Sequence, residues 1–61
     1  MALLILEPGD ICGILDIPEA GEVKLLHKKG EIWTVESLME GIIGETTRIE
    51  EKDLFLIQGR D

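Results

Sequence analysis

Along residues 27–42, HKKGEIWTVESLMEGI, the apolar and polar positions fit two periods at once. Alternation over 31–39 sets Trp33, Val35 and Met39 on one side of a strand that opens at a Gly30 turn, with Ile32, Thr34, Glu36 and Leu38 on the other. Thr34 as an N-cap and Gly41 as a stop would instead make 35–40 a helix. That helix would span under two turns and leave Ile32 and Trp33 as a strand fragment, so the strand is preferred.

The neighbouring segments are read the same way. In 10–17, DICGILDI, Ile11, Leu15 and Ile17 share one side while Cys12 and Ile14 make the other apolar too, as in a strand covered on both faces. Gly13 inside it suggests a bulge or a bend at a barrel corner. Residues 43–49 group Ile43, Thr47 and Ile49 with Glu45 interrupting, and 54–57 set Leu54 and Leu56 opposite Phe55 and Ile57. EPGD at 7–10 is a turn in which Pro8 fixes φ and Gly9 is free to take φ > 0, and IPEAG at 17–21 marks a second break.

Residues 18–29 carry good helix grammar: Pro18 at the first turn, Glu19 and Glu22 near the start, Lys28 and Lys29 near the end, then Gly30. Against this, Gly21 costs about 1 kcal/mol in a helix interior, and Val23, Leu25 and Leu26 give a narrow apolar stripe. Strand or extended loop is the preferred reading. The expected fold is all-β, a single domain over 1–61 built as a small five-stranded antiparallel, partly open barrel. Its expected core draws on Ile11, Ile14, Leu15, Trp33, Val35, Ile43, Ile49, Leu54 and Leu56. The alternative is a small α+β domain with helices near 18–29 and 35–40.

Composition sharpens this picture. Trp33 and Phe55 are the only aromatic residues in a chain that is 44% apolar, so the core is aliphatic and disorder is excluded. At 61 residues the chain buries only about 60% of its unfolded surface, which leaves apolar surface for self-association or a protein partner. The apolar arm MALLIL points the same way; six residues with no basic residue before them are too short for a signal-peptide core or a membrane span. Cys12 is the single cysteine, so no internal disulfide forms and a cytoplasmic compartment is expected.

Thirteen acidic against six basic residues give a net charge of −7, which repels phosphate backbones at long range. The one basic cluster is Lys24, His27, Lys28 and Lys29; the second half is acidic, with Arg48 and Lys52 as counterweights.

Taken in order, a Gly-Asp-led strand in PGDICGILD, a connecting IPEAGEVKLLHKK, a Gly-led strand in KGEIWTVES and a helical turn delivering the last strand in IEEKDLFLI resemble small SH3-like barrels. The pattern is similar to barrels of the KOW type and to the small barrel subunits of photosynthetic electron-transfer complexes, over nearly the full chain. The resemblance implies a binding or docking module without catalytic chemistry.

The residues themselves hold no phosphate-cradling glycine loop, no paired metal-ligand spacing and no nucleophile elbow. Cys12 and His27 are the one nucleophile and base that could be paired, and a core cysteine with a surface histidine is the simpler reading. Glu50, Glu51 and Asp53 offer oxygens to a divalent cation but lack a ligand loop, and read better as a solvated turn. No catalytic, cofactor-binding or metal residue is assigned. The candidate partner-binding residues are Lys24, His27, Lys28, Lys29 and Trp33, on a non-enzymatic protein-interaction module: an accessory subunit, or a small adaptor or inhibitor. The rival is a nucleic-acid-binding small barrel using the Lys24 to Lys29 cluster with Arg48; a helix-turn-helix over 33–47 is a weaker third.

Overall fold

The computed structural model describes residues 5–59 and shows an all-β domain. Five strands, β1 (Ile11–Ile14), β2 (Val23–Lys29), β3 (Ile32–Ser37), β4 (Thr46–Glu50) and β5 (Leu54–Gln58), form one antiparallel sheet in the order β4-β3-β2-β1-β5. The order ends at β4 and β5, which do not pair with each other, so the sheet is not closed into a barrel.

The ambiguous segment is a strand. Lys29 pairs with Ile32, leaving Gly30 and Glu31 as a two-residue hairpin loop. Gly30 has φ 64 and Glu31 does not have positive φ, the pattern of a type II′ turn that matches strand twist. Beyond Ser37 the chain leaves the sheet, so 35–40 is not a helix; the Met39 N–H donates to Ser37 Oγ at 3.2 Å as the turn begins. Only one helical turn, a 3₁₀ turn over Pro18–Ala20, occurs in 18–29, and β2 follows it. Glycine strain at Gly21 (φ 74) and the Val23/Leu25 alternation both oppose an α-helix there. A second 3₁₀ turn, Glu51–Asp53, delivers β5. The α+β and helix-turn-helix alternatives are thereby overturned.

The EPGD turn is built as expected and does more than reverse the chain. Gly9 takes φ 97, the Glu7 N–H donates to Asp10 Oδ2 at 2.9 Å, and the Asp10 N–H donates to the Glu7 carbonyl at 3.1 Å. Gly9 N–H then donates to the Leu25 carbonyl and Leu25 N–H to the Asp10 carbonyl, clamping the turn onto the central strand. Asp10 is buried, its carboxylate accepting from the Glu7 N–H.

The core is Cys12, Ile14, Val23, Leu25, Trp33, Val35 and Leu54, with Leu6, Ala20, Ile49 and Leu56 packed against it. Six of the nine expected core residues, Ile14, Trp33, Val35, Ile49, Leu54 and Leu56, lie there, while Ile11 is half-buried. Two expectations fail: Leu15 is 55% exposed and Ile43 68% exposed. Strand β1 places the side chains of Cys12 and Ile14 in the core, and Leu15 lies past its end; Ile43 belongs to the loop between β3 and β4, because β4 starts only at Thr46. Val23 and Leu25 replace them. Of the MALLIL arm, residues 1–4 lie outside the described residues, and Leu6 joins the core edge while Ile5 is exposed. No helix among the described residues is long and apolar enough to cross a membrane.

Candidate functional site

The basic cluster sits on β2, and a bulge decides where each side chain goes. Register shifts between Leu25 and His27, making Leu26 the extra residue. Directly opposed residues of an antiparallel pair share a face. Lys24 opposes Glu36, His27 opposes Thr34 and Lys29 opposes Ile32, so these three lie on the outer face, away from Trp33 and Val35. Lys28 opposes Trp33 and turns inward.

On the inner side the contacts are specific. Trp33 is 2% exposed, so its ring is not a surface platform. The indole Nε1–H donates to Glu51 Oε2 at 2.8 Å, and Lys28 Nζ lies 3.2 Å from the same oxygen and 5.7 Å from the ring centroid. One carboxylate thus satisfies a buried donor and holds a cation over the indole. The Trp33 hydrogen bond, followed by that of Lys28, holds the Glu51 carboxyl below its ordinary range. Glu51 is therefore the residue sequence reasoning placed in a solvated acidic turn and that in fact caps the core; the signal was a tryptophan with no nearby partner in a chain whose interior needs one.

On the outer face the register brings Arg48 into the cluster, because Thr34 opposes both His27 and Arg48. His27, Lys29 and Arg48 surround a shallow depression floored by Ile32 and Thr34. Lys24 stands one row away between Glu36 and Ile11. Of the five sequence candidates the structure keeps Lys24, His27 and Lys29 together on this face, adds Arg48, and sets Lys28 and Trp33 on the other. Glu36 and Glu50 interleave with the cations.

The outer face of β1 and β5 differs entirely. Gly13 opposes Phe55, and a Cβ on Gly13 would sit 2.3 Å from Phe55 Cζ, so glycine is there because the ring lies flat on the backbone. It marks no bend: the β1–β5 bulge falls between Ile11 and Cys12, with Ile57 as the extra residue. Phe55 and Ile57 remain 44% and 45% exposed, with Leu15 beside the strand end.

Cys12 is fully buried, and burial, followed by the Asp10 charge, pushes its thiol up to about 11. His27 lies on the opposite face of the sheet, so the two do not meet. No three His, Cys, Asp or Glu side chains converge as a metal set among the described residues. No family model, curated protein or solved structure matches the chain.

Proposed function

We propose that the chain is a non-enzymatic protein-interaction module, an accessory subunit or a small adaptor or inhibitor of a larger complex. The observation that carries this reading is the apolar surface along β1 and β5, where Phe55 stands exposed over Gly13, Leu15 just past the end of β1 and Ile57 at the β1–β5 bulge. Large apolar side chains clustered on the solvated side of a sheet mark an interaction surface. A small SH3-like barrel used for docking, rather than chemistry, accounts for such a face on a chain of this size.

The nucleic-acid rival is supported by less. Its outer basic group of His27, Lys29 and Arg48 is interleaved with Glu36 and Glu50, and Lys28 is engaged by Glu51. A net charge of −7 opposes phosphate at long range. Affinity capture from the native cell with a tag after Asp61 tests the choice. A protein recovered with the wild type and lost with Leu15→Glu or Ile57→Glu supports docking; recovery of nucleic acid alone, lost with Lys29→Glu and Arg48→Glu, overturns it.

A further inference from the structure

Strand β4 ends the sheet, and its free side is a self-complementary edge. The Glu51 N–H donates to the Glu31 carbonyl and the Ser37 N–H to the Glu45 carbonyl, each at 2.8 Å. Those bonds fix the alternation of the β3–β4 ladder, in which Ile32 opposes Glu50 and Thr34 opposes Arg48. Odd-numbered residues of β4 therefore turn their backbone groups to β3, and Thr46, Arg48 and Glu50 turn theirs outward. Apart from Ile49, every residue of β4 is exposed. Such an edge is a template for another strand.

The geometry points to a second copy of this chain as the occupant, joined β4 to β4 in antiparallel fashion about a two-fold axis at Ile49. This deepens the interaction-module reading and rests on it. A two-fold edge pairing that keeps the two inner faces together matches residues whose numbers sum to an even constant, so few registers exist. Centring on Arg48 sets Arg48 against its own copy. Centring on Ile49 sets Arg48 opposite the second copy's Glu50, and Glu50 opposite its Arg48, as two pairs that exchange outward backbone bonds and oppose unlike charges. Ile49 meets its copy between them in a non-hydrogen-bonded pair, where side chains approach most closely.

Two further features favour this register. Glu50 is held only loosely within its own chain, its Oε2 3.8 Å from an exposed Lys52 Nζ. At the same edge lies an open cleft of about 400 Å³, its apolar part Ile14, Ile17, Ile32 and Ile49 and its charged part Asp16, Asp53 and the Arg48 and Glu50 of the proposed pairs, which a second strand beside β4 would roof over. Opposing this, each copy carries −7, a repulsion screened beyond about 8 Å at physiological ionic strength.

The test is sedimentation of the full chain across a concentration series, with circular dichroism confirming that each variant stays folded. The wild type is expected to dimerise, Arg48→Glu and Glu50→Arg each to weaken the dimer about tenfold or more by opposing like charges twice, and the double exchange to restore it. Under oxidation Ile49→Cys should yield a disulfide-linked dimer and Arg48→Cys should not. A wild type that stays monomeric, a dimer indifferent to both single changes, a double exchange that fails to restore it, or crosslinking through Arg48→Cys instead each overturns the proposal. Capture of a different protein through Leu15 and Ile57 would persist in all those cases if only the dimer reading fails, which separates the two.

Discussion

The two halves of the sheet solve the same packing problem differently. In β2–β3–β4, Val23, Leu25, Trp33, Val35 and Ile49 point inward, with Lys28 and Thr47 at the rim of that face, and Lys24, His27, Lys29, Thr34, Glu36 and Arg48 point out, so one face is mostly apolar and the other mostly polar. In β1–β5 the inner face is Cys12, Ile14, Leu54 and Leu56, and the outer face is apolar as well, with Phe55 lying on Gly13. The first half stabilises itself by burial; the second holds apolar surface in reserve. That open surface is what the interaction-module proposal rests on.

The difference also decided what could be read in the sequence. Where one face is wet, alternation is plain, and the Trp33/Val35 strand with its Gly30 turn is legible despite the competing helix signals. Strand β2 was half-legible: Val23-Lys24-Leu25 alternates, but the Leu26 bulge inverts parity, so nothing in the sequence says that His27 faces out and Lys28 in. In β1 two apolar faces look alike, and neither alternation nor composition tells that Cys12 and Ile14 win the core over Leu15. Glu51 was hidden for a different reason. Its role depends on Trp33, eighteen positions away, and no local pattern links the two.

The largest effect separating the halves comes from their aromatic residues. Trp33→Ala removes the biggest buried side chain and should cost about 3–5 kcal/mol. A chain of 61 residues has only about 3–9 kcal/mol in total, so that loss takes a third or more of its stability and should lower the urea midpoint steeply. Phe55→Ala, on the exposed face, should cost well under half as much and leave a cooperative urea transition. Equal losses would break the distinction between a buried half and a reserve half.

Next in size is the cap on the first half. Glu51→Ala leaves the buried indole N–H without its acceptor, a loss of about 1–3 kcal/mol, at the lower end because water can approach the partly exposed carboxylate. Because Glu51 is held below its ordinary range in the fold, its contribution is present above the unfolded value, about 4.3, and is lost as pH falls through the folded one. Glu51→Gln keeps an acceptor for Trp33 and should remove that part of the acid sensitivity. Urea midpoints taken from pH 7 down to pH 3 measure it; a Glu51→Gln variant with an unchanged acid slope would count against the assignment.

The smallest effect probes the second half and isolates a single contact. A methyl group on Gly13 would meet the Phe55 ring at 2.3 Å, closer than atoms can approach, so Gly13→Ala must push the ring away. Gly13 is not among the glycines with positive φ, so the backbone tolerates alanine and the whole cost lies in that displacement. Phe55 is 44% exposed and has room to swing outward, which keeps the loss to about 1 kcal/mol or less and, by reducing the freedom of the unfolded chain, alanine itself returns part of it. In a Phe55→Ala background the ring is gone, and Gly13→Ala should there be neutral or stabilising by about 0.4–1 kcal/mol. The double-mutant cycle of urea stabilities therefore has a definite sign: Gly13→Ala should be worse with the ring than without it. An identical effect in both backgrounds would mean that Phe55 does not rest on Gly13, and that the apolar face of β1 and β5 is not organised around that contact.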